Sequence, residues 1–179
     1  MKGIVFTEFL ELVEEKFGLE VVDRIITASE LESGGSYTSI GTYEFSEMLA
    51  LLTNLSLETK VSIGDLLHVY GEHFFKVIER DYPTMLAQYS NPIEMLSSIE
   101  NHIHVEVKKI YPDAELPTFQ ILEKTDSSLR MLYTSSRAMH MFGLGLMDST
   151  FAYFNTESEI TTELQKEDGT EVEFLVNVI

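Results

Sequence analysis

The hydrophobic pattern changes at Pro117, and that change restricts the fold more than any other feature of the chain. Before it, apolar residues recur at three- and four-residue spacing, the period of helices with one buried face. Phe6, Phe9, Leu10, Val13 and Phe17 mark one such helix, with glutamates between them and Gly18 at its end. Val21, Val22, Ile25 and Ile26 mark a second, over 19–31. The stretch "ESGGSYTS" is a loop by composition. Helices are expected next over 46–55 and 62–81, with Ser62 as the N-cap of the latter. After the connector "DYPTMLAQYSNP", a longer helix is expected over 92–110, with Pro92 in its first turn. Beyond Pro117 the period falls to two. "TFQILEKTDSSLRMLYTS" reads as two strands around "KTDSS", and "SEITTELQK" and "TEVEFLVNV" as two more around "EDG". Between these pairs, "RAMHMFGLGLMDSTFAYF" is apolar and helix-length, and Gly143 and Gly145 predict close packing against something flat. A chain that separates helices from strands in this way is α+β: a helical N-terminal part, then an antiparallel sheet with packed helices.

A length of 179 residues suits one domain with a sizeable core. A formal net charge of -18 repels phosphate backbones and anionic lipid, so nucleic acid and membrane are excluded as expected partners. There is no cysteine, which excludes disulfides, thiolate metal sites and thiol switching. The opening "MKGIVFTEFLELVEEKFG" is interrupted by Glu8, Glu11, Glu14 and Glu15 and is no signal peptide. No apolar run approaches the roughly 18 residues of a membrane span. A cytoplasmic protein is expected.

Catalytic signatures are missing: no Gly-rich phosphate loop, no G-x-S-x-G elbow and no H-E-x-x-H. Five histidines are present, His68, His73, His102, His104 and His140. Residues two apart on a helix lie about 200° apart around it, so His102 and His104 cannot share one metal ion. The spacing of His68 and His73 is equally poor. What remains is a single histidine ligating a metal held mainly by something else, haem being the leading case. His104 falls on the side of Ile93, Val107 and Tyr111, His102 nearer Met95 and Ile99, and periodicity does not choose between them. "YTSSR" places Tyr133, Ser135 and Arg137 at alternate positions. On an extended strand they would face one way, a phenol, a hydroxyl and a guanidinium suited to clamp a carboxylate or phosphate. Alternating polar residues are also what a solvent-facing strand carries. The eleven Phe and eight Met provide core, or the lining of an apolar cavity.

Three stretches together, "MKGIVFTEFLE", "IHVEVKKIYPDAELPTF" and "YTSSR", resemble the haem-nitric oxide/oxygen binding (H-NOX) family over essentially the whole chain. A histidine seven residues before "YP", a proline thirteen residues after that histidine, and Y-x-S-x-R form the signature. The resemblance implies one sensor domain over 1–179, with a distal helical part over about 1–62, a proximal helix and sheet part over 63–179, and haem b (iron protoporphyrin IX) buried between. It implies that His104 is the proximal iron ligand and that Tyr133, Ser135 and Arg137 hold the haem propionates. Pro117 then presses on the porphyrin, and Val5 and Leu146 pack apolar side chains against it. Phe142, Phe74 and Phe9 stand where oxygen-binding members carry a distal tyrosine and other polar groups.

Bound oxygen becomes partly negative and needs a donor, whereas nitric oxide and carbon monoxide develop much less charge. The expectation is therefore a nitric oxide and carbon monoxide binder that excludes oxygen and is not an enzyme. It would signal through Fe–His104 cleavage to a separate histidine kinase or diguanylate cyclase. The alternative is a haem enzyme with peroxidase or nitric oxide oxidation activity. That requires a distal polar group, and His140 lies about 200° around the helix from Phe142.

Overall fold

The periodic stretches form helices where their spacing places them. In the computed structural model, which describes residues 1–179, α1 spans Gly3–Phe17, α2 Leu19–Ala28, α3 Phe45–Thr59 and α4 Ile63–Asp81. Gly18 separates α1 from α2 with a backbone φ of 87°, a left-handed conformation that costs glycine little. Ser62 caps α4, its hydroxyl accepting the Asp65 N–H at 3.1 Å. Two compact units are distinguishable, Met1–Tyr70 and Gly71–Ile179, so the division lies inside α4, whereas the boundary expected near 62 lies at that helix's start. No helix is long and apolar enough to cross a membrane.

In the first unit α1 packs on α2 and α2 on α3. Phe6, Phe9, Val13, Ile25, Met48, Leu51, Leu52 and Leu55 are all buried, as the amphipathic spacing requires. The loop before α3 is fastened by Glu47, whose buried carboxylate accepts from the Ser33 N–H at 3.1 Å and the Tyr37 hydroxyl at 2.7 Å. Burial alone would push that carboxyl up; the donors from Ser33 and Tyr37 outweigh it and hold Glu47 below the ordinary carboxylate value.

The second unit carries α5 (Pro83–Leu86), α6 (Pro92–Ser97), α7 (His104–Ile110), β1 (Thr118–Lys124), β2 (Ser128–Thr134), α8 (His140–Tyr153), β3 (Ser158–Leu164) and β4 (Glu171–Val178). The strands form one antiparallel sheet in the order β1-β2-β4-β3. Register pairs Leu129 with Val176, Met131 with Phe174 and Tyr133 with Val172, so alternate residues turn inward. That inner face joins Ile93 and Leu96 of α6 and Met147 and Phe151 of α8 in one core. The architecture is α+β, as the pattern change at Pro117 predicts.

Candidate functional site

The single long helix expected over 92–110 is broken. α6 ends at Ser97, and a π-helical turn, Ile99–Ile103, intervenes before α7 begins at His104. The Ile103 N–H reaches back five residues to the Ser98 carbonyl, and the His104 N–H likewise to Ile99. Such a turn packs one extra residue into the helix and redirects the side chains that follow. It also separates the two histidines that periodicity leaves equivalent. His102 Nδ1 is taken by the Tyr89 hydroxyl. His104 Nδ1 lies 3.1 Å from Glu100 Oε1, and its ring faces Phe119 at a centroid distance of 6.2 Å. The His104 side chain is 14% exposed. Burial pushes its pKa below the ordinary histidine value, against the pull of Glu100, and so favours the neutral ring that binds metals. With Nδ1 turned to Glu100, the nitrogen available to a metal is Nε2. No three His, Asp or Glu side chains converge as a metal site.

The "YTSSR" residues come together, but not by the geometry the sequence predicts. β2 ends at Thr134, so Ser135 and Arg137 lie in the turn that follows and not on the strand. Strand alternation ends at Thr134, and beyond Arg137 the left-handed Ala138, at φ 51°, leads the chain into α8. The turn is closed by the Arg137 N–H donating to Ser135 Oγ at 3.2 Å. Tyr133 is 2% exposed, and its hydroxyl accepts the Met139 N–H at 3.0 Å, holding the start of α8. The guanidinium of Arg137 donates to the Glu115 carbonyl at 2.8 Å and to its carboxylate at 2.5 Å. The Arg137 side chain is 16% exposed and that of Glu115 82%, so an exposed carboxylate rests on a largely enclosed cation.

Sequence reasoning missed Phe119, Glu100 and Glu115. Phe119 stands between the two halves of the site, 6.2 Å from His104 and 5.4 Å from the ring of Tyr133. Its place two residues after Pro117 is the one signal that could have singled it out. Pro117 itself is half-buried, immediately before β1. Glu100 accepts the Phe119 N–H at 2.8 Å and so joins the π-turn to β1.

Phe74 of α4 and Phe142 of α8 meet edge to face at 5.6 Å, both half-buried. Leu146, one turn beyond Phe142, packs with Ile103 against the cluster of Phe75, Leu86 and Met95. The two glycines of α8 serve different neighbours. A Cβ on Gly143 would stand 3.9 Å from the Phe119 ring, an ordinary contact and looser than the close packing the sequence predicts. Gly145 instead meets another helix: a Cβ on Gly71 of α4 would fall 2.2 Å from the Phe142 carbonyl oxygen and 3.0 Å from Gly145 Cα. His140 opens α8 and sits beside Gly169 of the β3–β4 turn. Val5 and Phe9 belong to the first unit, where the Val5 carbonyl accepts the Tyr70 hydroxyl at 2.5 Å and the Phe9 ring lies 5.3 Å from that of Tyr70.

The half-buried imidazole of His104 and the turn that carries Arg137, joined through Phe119, lie within the stretches by which the sequence resembles H-NOX proteins. The family model described as Haem-NO-binding matches residues 2–162. The chain belongs to the haem-NO-binding, or H-NOX, family. It is 70% identical to the Fe(II) unliganded H-NOX protein from K. algicida, covering 100% of this chain and 97% of that one with a TM-score of 0.98. It is 35% identical to the H-NOX from Shewanella woodyi, solved in the Fe(II)CO ligation state, covering 99% and 94% with a TM-score of 0.82. The H-NOX protein from S. oneidensis in the Fe(II)NO state shares the fold at 19% identity, covering 100% and 99% with a TM-score of 0.91. No curated protein matches the chain.

H-NOX domains bind haem and are haem-based gas sensors, not enzymes. The residues of this chain fit that cofactor. His104 offers one neutral nitrogen, Arg137 already carries a carboxylate from an exposed side chain, and Phe74, Phe142 and Leu146 are apolar and half-buried.

Proposed function

We propose that this H-NOX domain is a nitric oxide sensor that holds haem b through His104, excludes oxygen, and reports to a separate effector protein. The observation that carries the reading is the run of rings from His104 through Phe119 to Tyr133, which joins one half-buried imidazole to one carboxylate clamp within a single unit. Ferrous haem would supply an iron that binds a diatomic gas and whose bond to His104 weakens with nitric oxide. His104 Nε2 is the tether. Arg137 would exchange the Glu115 carboxylate for a propionate, with Tyr133 and Ser135 assisting. Pro117, at the entrance to β1, would press on the ring, with Leu146 of the same unit as apolar packing.

Phe74 and Phe142 determine selectivity by what they lack. Neither carries a donor for the partly negative outer atom of bound oxygen. One missing hydrogen bond to a charged group costs about 1.5–3 kcal/mol, or roughly ten- to hundred-fold in affinity. Nitric oxide and carbon monoxide need that bond far less, so both remain ligands.

Signalling follows from what His104 anchors. A ligand moves a protein equilibrium only through its different affinity for two states. Here the difference lies in whether α7 is tethered through His104, and the output surface is one that moves with α7. The recipient fits a histidine kinase or diguanylate cyclase on a separate chain. The test is a set of absorption spectra of the reduced, hemin-reconstituted protein: without gas, under air, and with nitric oxide. The expected result is no change under air and a five-coordinate nitrosyl spectrum with nitric oxide. A stable oxygen complex would refute the selectivity argument. Normal haem binding by His104→Gly without added imidazole would refute the tether.

A further inference from the structure

Glu100 occupies a position that neither the clamp nor the apolar pocket accounts for. Its Oε1 is 3.1 Å from His104 Nδ1 and accepts the Phe119 N–H at 2.8 Å. One carboxylate oxygen therefore touches the proposed iron ligand and the backbone of β1 just after Pro117. Exposed ion pairs four residues apart on a helix contribute little, and the Glu100 side chain is 37% exposed. Two facts set this pair apart. His104 is far less exposed than Glu100, and the oxygen is shared with a backbone amide from another element. The π-turn brings this about, because Glu100 lies within it and His104 is the residue that ends it.

We propose that Glu100 is a positioning residue for the proximal imidazole, holding His104 with Nδ1–H toward its own carboxylate and Nε2 toward the cofactor, and linking that hold to β1 at Phe119. This inference rests on the reading of His104 as the haem ligand. The physical basis is general. A carboxylate on the far nitrogen of a ligating imidazole selects its tautomer, locks its rotation and makes it a stronger donor to the metal. Glu100 adds a second consequence. Displacement of His104 changes the load on the same oxygen that holds Phe119, so loss of the tether is felt at once at the start of β1. Glu100 is thus placed both to resist release of His104 and to transmit it.

The variants are E100Q and E100A. Glutamine keeps the shape and still offers a carbonyl oxygen to the Phe119 N–H, so the structural link to β1 survives while the charge on His104 is lost. The first measurement is the iron–histidine stretching band of the reduced, unliganded holoprotein by resonance Raman. It is expected to move to lower frequency in E100Q and further in E100A. The second is stopped-flow conversion of the nitrosyl form from six- to five-coordinate, expected to be about tenfold faster or more, in line with the usual effect of losing an outer-shell partner. The third needs no haem: nitrogen-15 NMR of the apoprotein should report the Nδ1–H tautomer of His104 in the wild type and a shift away from it in E100A. Unchanged band and rate in both variants, or an unchanged tautomer in E100A, would overturn the proposal, as would a band and rate that change in E100A alone, which would mark Glu100 as a merely structural bridge to Phe119. Failure of the underlying reading looks different: the wild type itself would show no iron–histidine band.

Discussion

Tyr133→Phe separates the structural duty of the clamp from its ligand duty. The Tyr133 hydroxyl has a structural partner of its own, since it accepts the N–H of Met139, the residue that precedes α8. Tyr133 is 2% exposed and Met139 9%, so water cannot replace the lost acceptor. An orphaned buried amide costs about 1–3 kcal/mol. For a chain of this length, 1 kcal/mol corresponds to about 2–4 °C in Tm, so a loss near 2 kcal/mol lowers Tm by about 4–8 °C. The ring itself is unchanged, so its contacts with Phe119 at 5.4 Å and Phe174 at 6.3 Å persist, and the core loses no volume. The assay is thermal unfolding of the apoprotein, followed by circular dichroism, with haem retention measured in parallel on reconstituted protein. The expected outcome is a lower Tm without haem and faster haem loss with it. A Tm within about 1 °C of wild type, the range of an indifferent surface change, would refute the assignment of Tyr133 as the anchor of α8.

Arg137→Ala should behave in the opposite way. Its partner Glu115 is 82% exposed, so the ion pair adds little to apoprotein stability, but haem retention should fall about ten- to hundred-fold, measured by transfer to apomyoglobin. Phe142→Tyr places a phenol beside Phe74 and should create a measurable oxygen complex, with a gain of about 1.5–3 kcal/mol, read by titration under increasing oxygen. Burial holds both His104 and His140 below the ordinary histidine value. The unfolded chain therefore takes up protons first as pH falls below about 6.5, so stability from the neutral rings is full above that pH and is lost as pH falls through the lowered native values. The urea midpoint of the apoprotein should fall between about pH 7 and about pH 5, and H140Q should make that fall shallower.

By itself, the sequence determined the class of the fold and put forward candidate residues for the site. Burial imposes a period, so the helices of the first unit, the four strands and α8 were legible to within a few residues, as was the cap at Ser62. The residues of "YTSSR" and the histidine before "YP" could be read as candidates because their chemistry is visible in their identity. What distinguishes His102, held by Tyr89, from His104, held by Glu100, was decided only in three dimensions. A π-turn carries no signature in composition, and it changes direction by one residue where periodicity assumes an unbroken helix. The clamp depended likewise on Ala138, an ordinary residue in a left-handed conformation where no glycine announces a turn. Glu100 and Phe119 are nineteen residues apart along the chain, and nothing local records that they meet. Local spacing encodes which side of an element is buried; which elements then touch depends on how those buried sides satisfy one another, and that exists only once the chain has closed on itself.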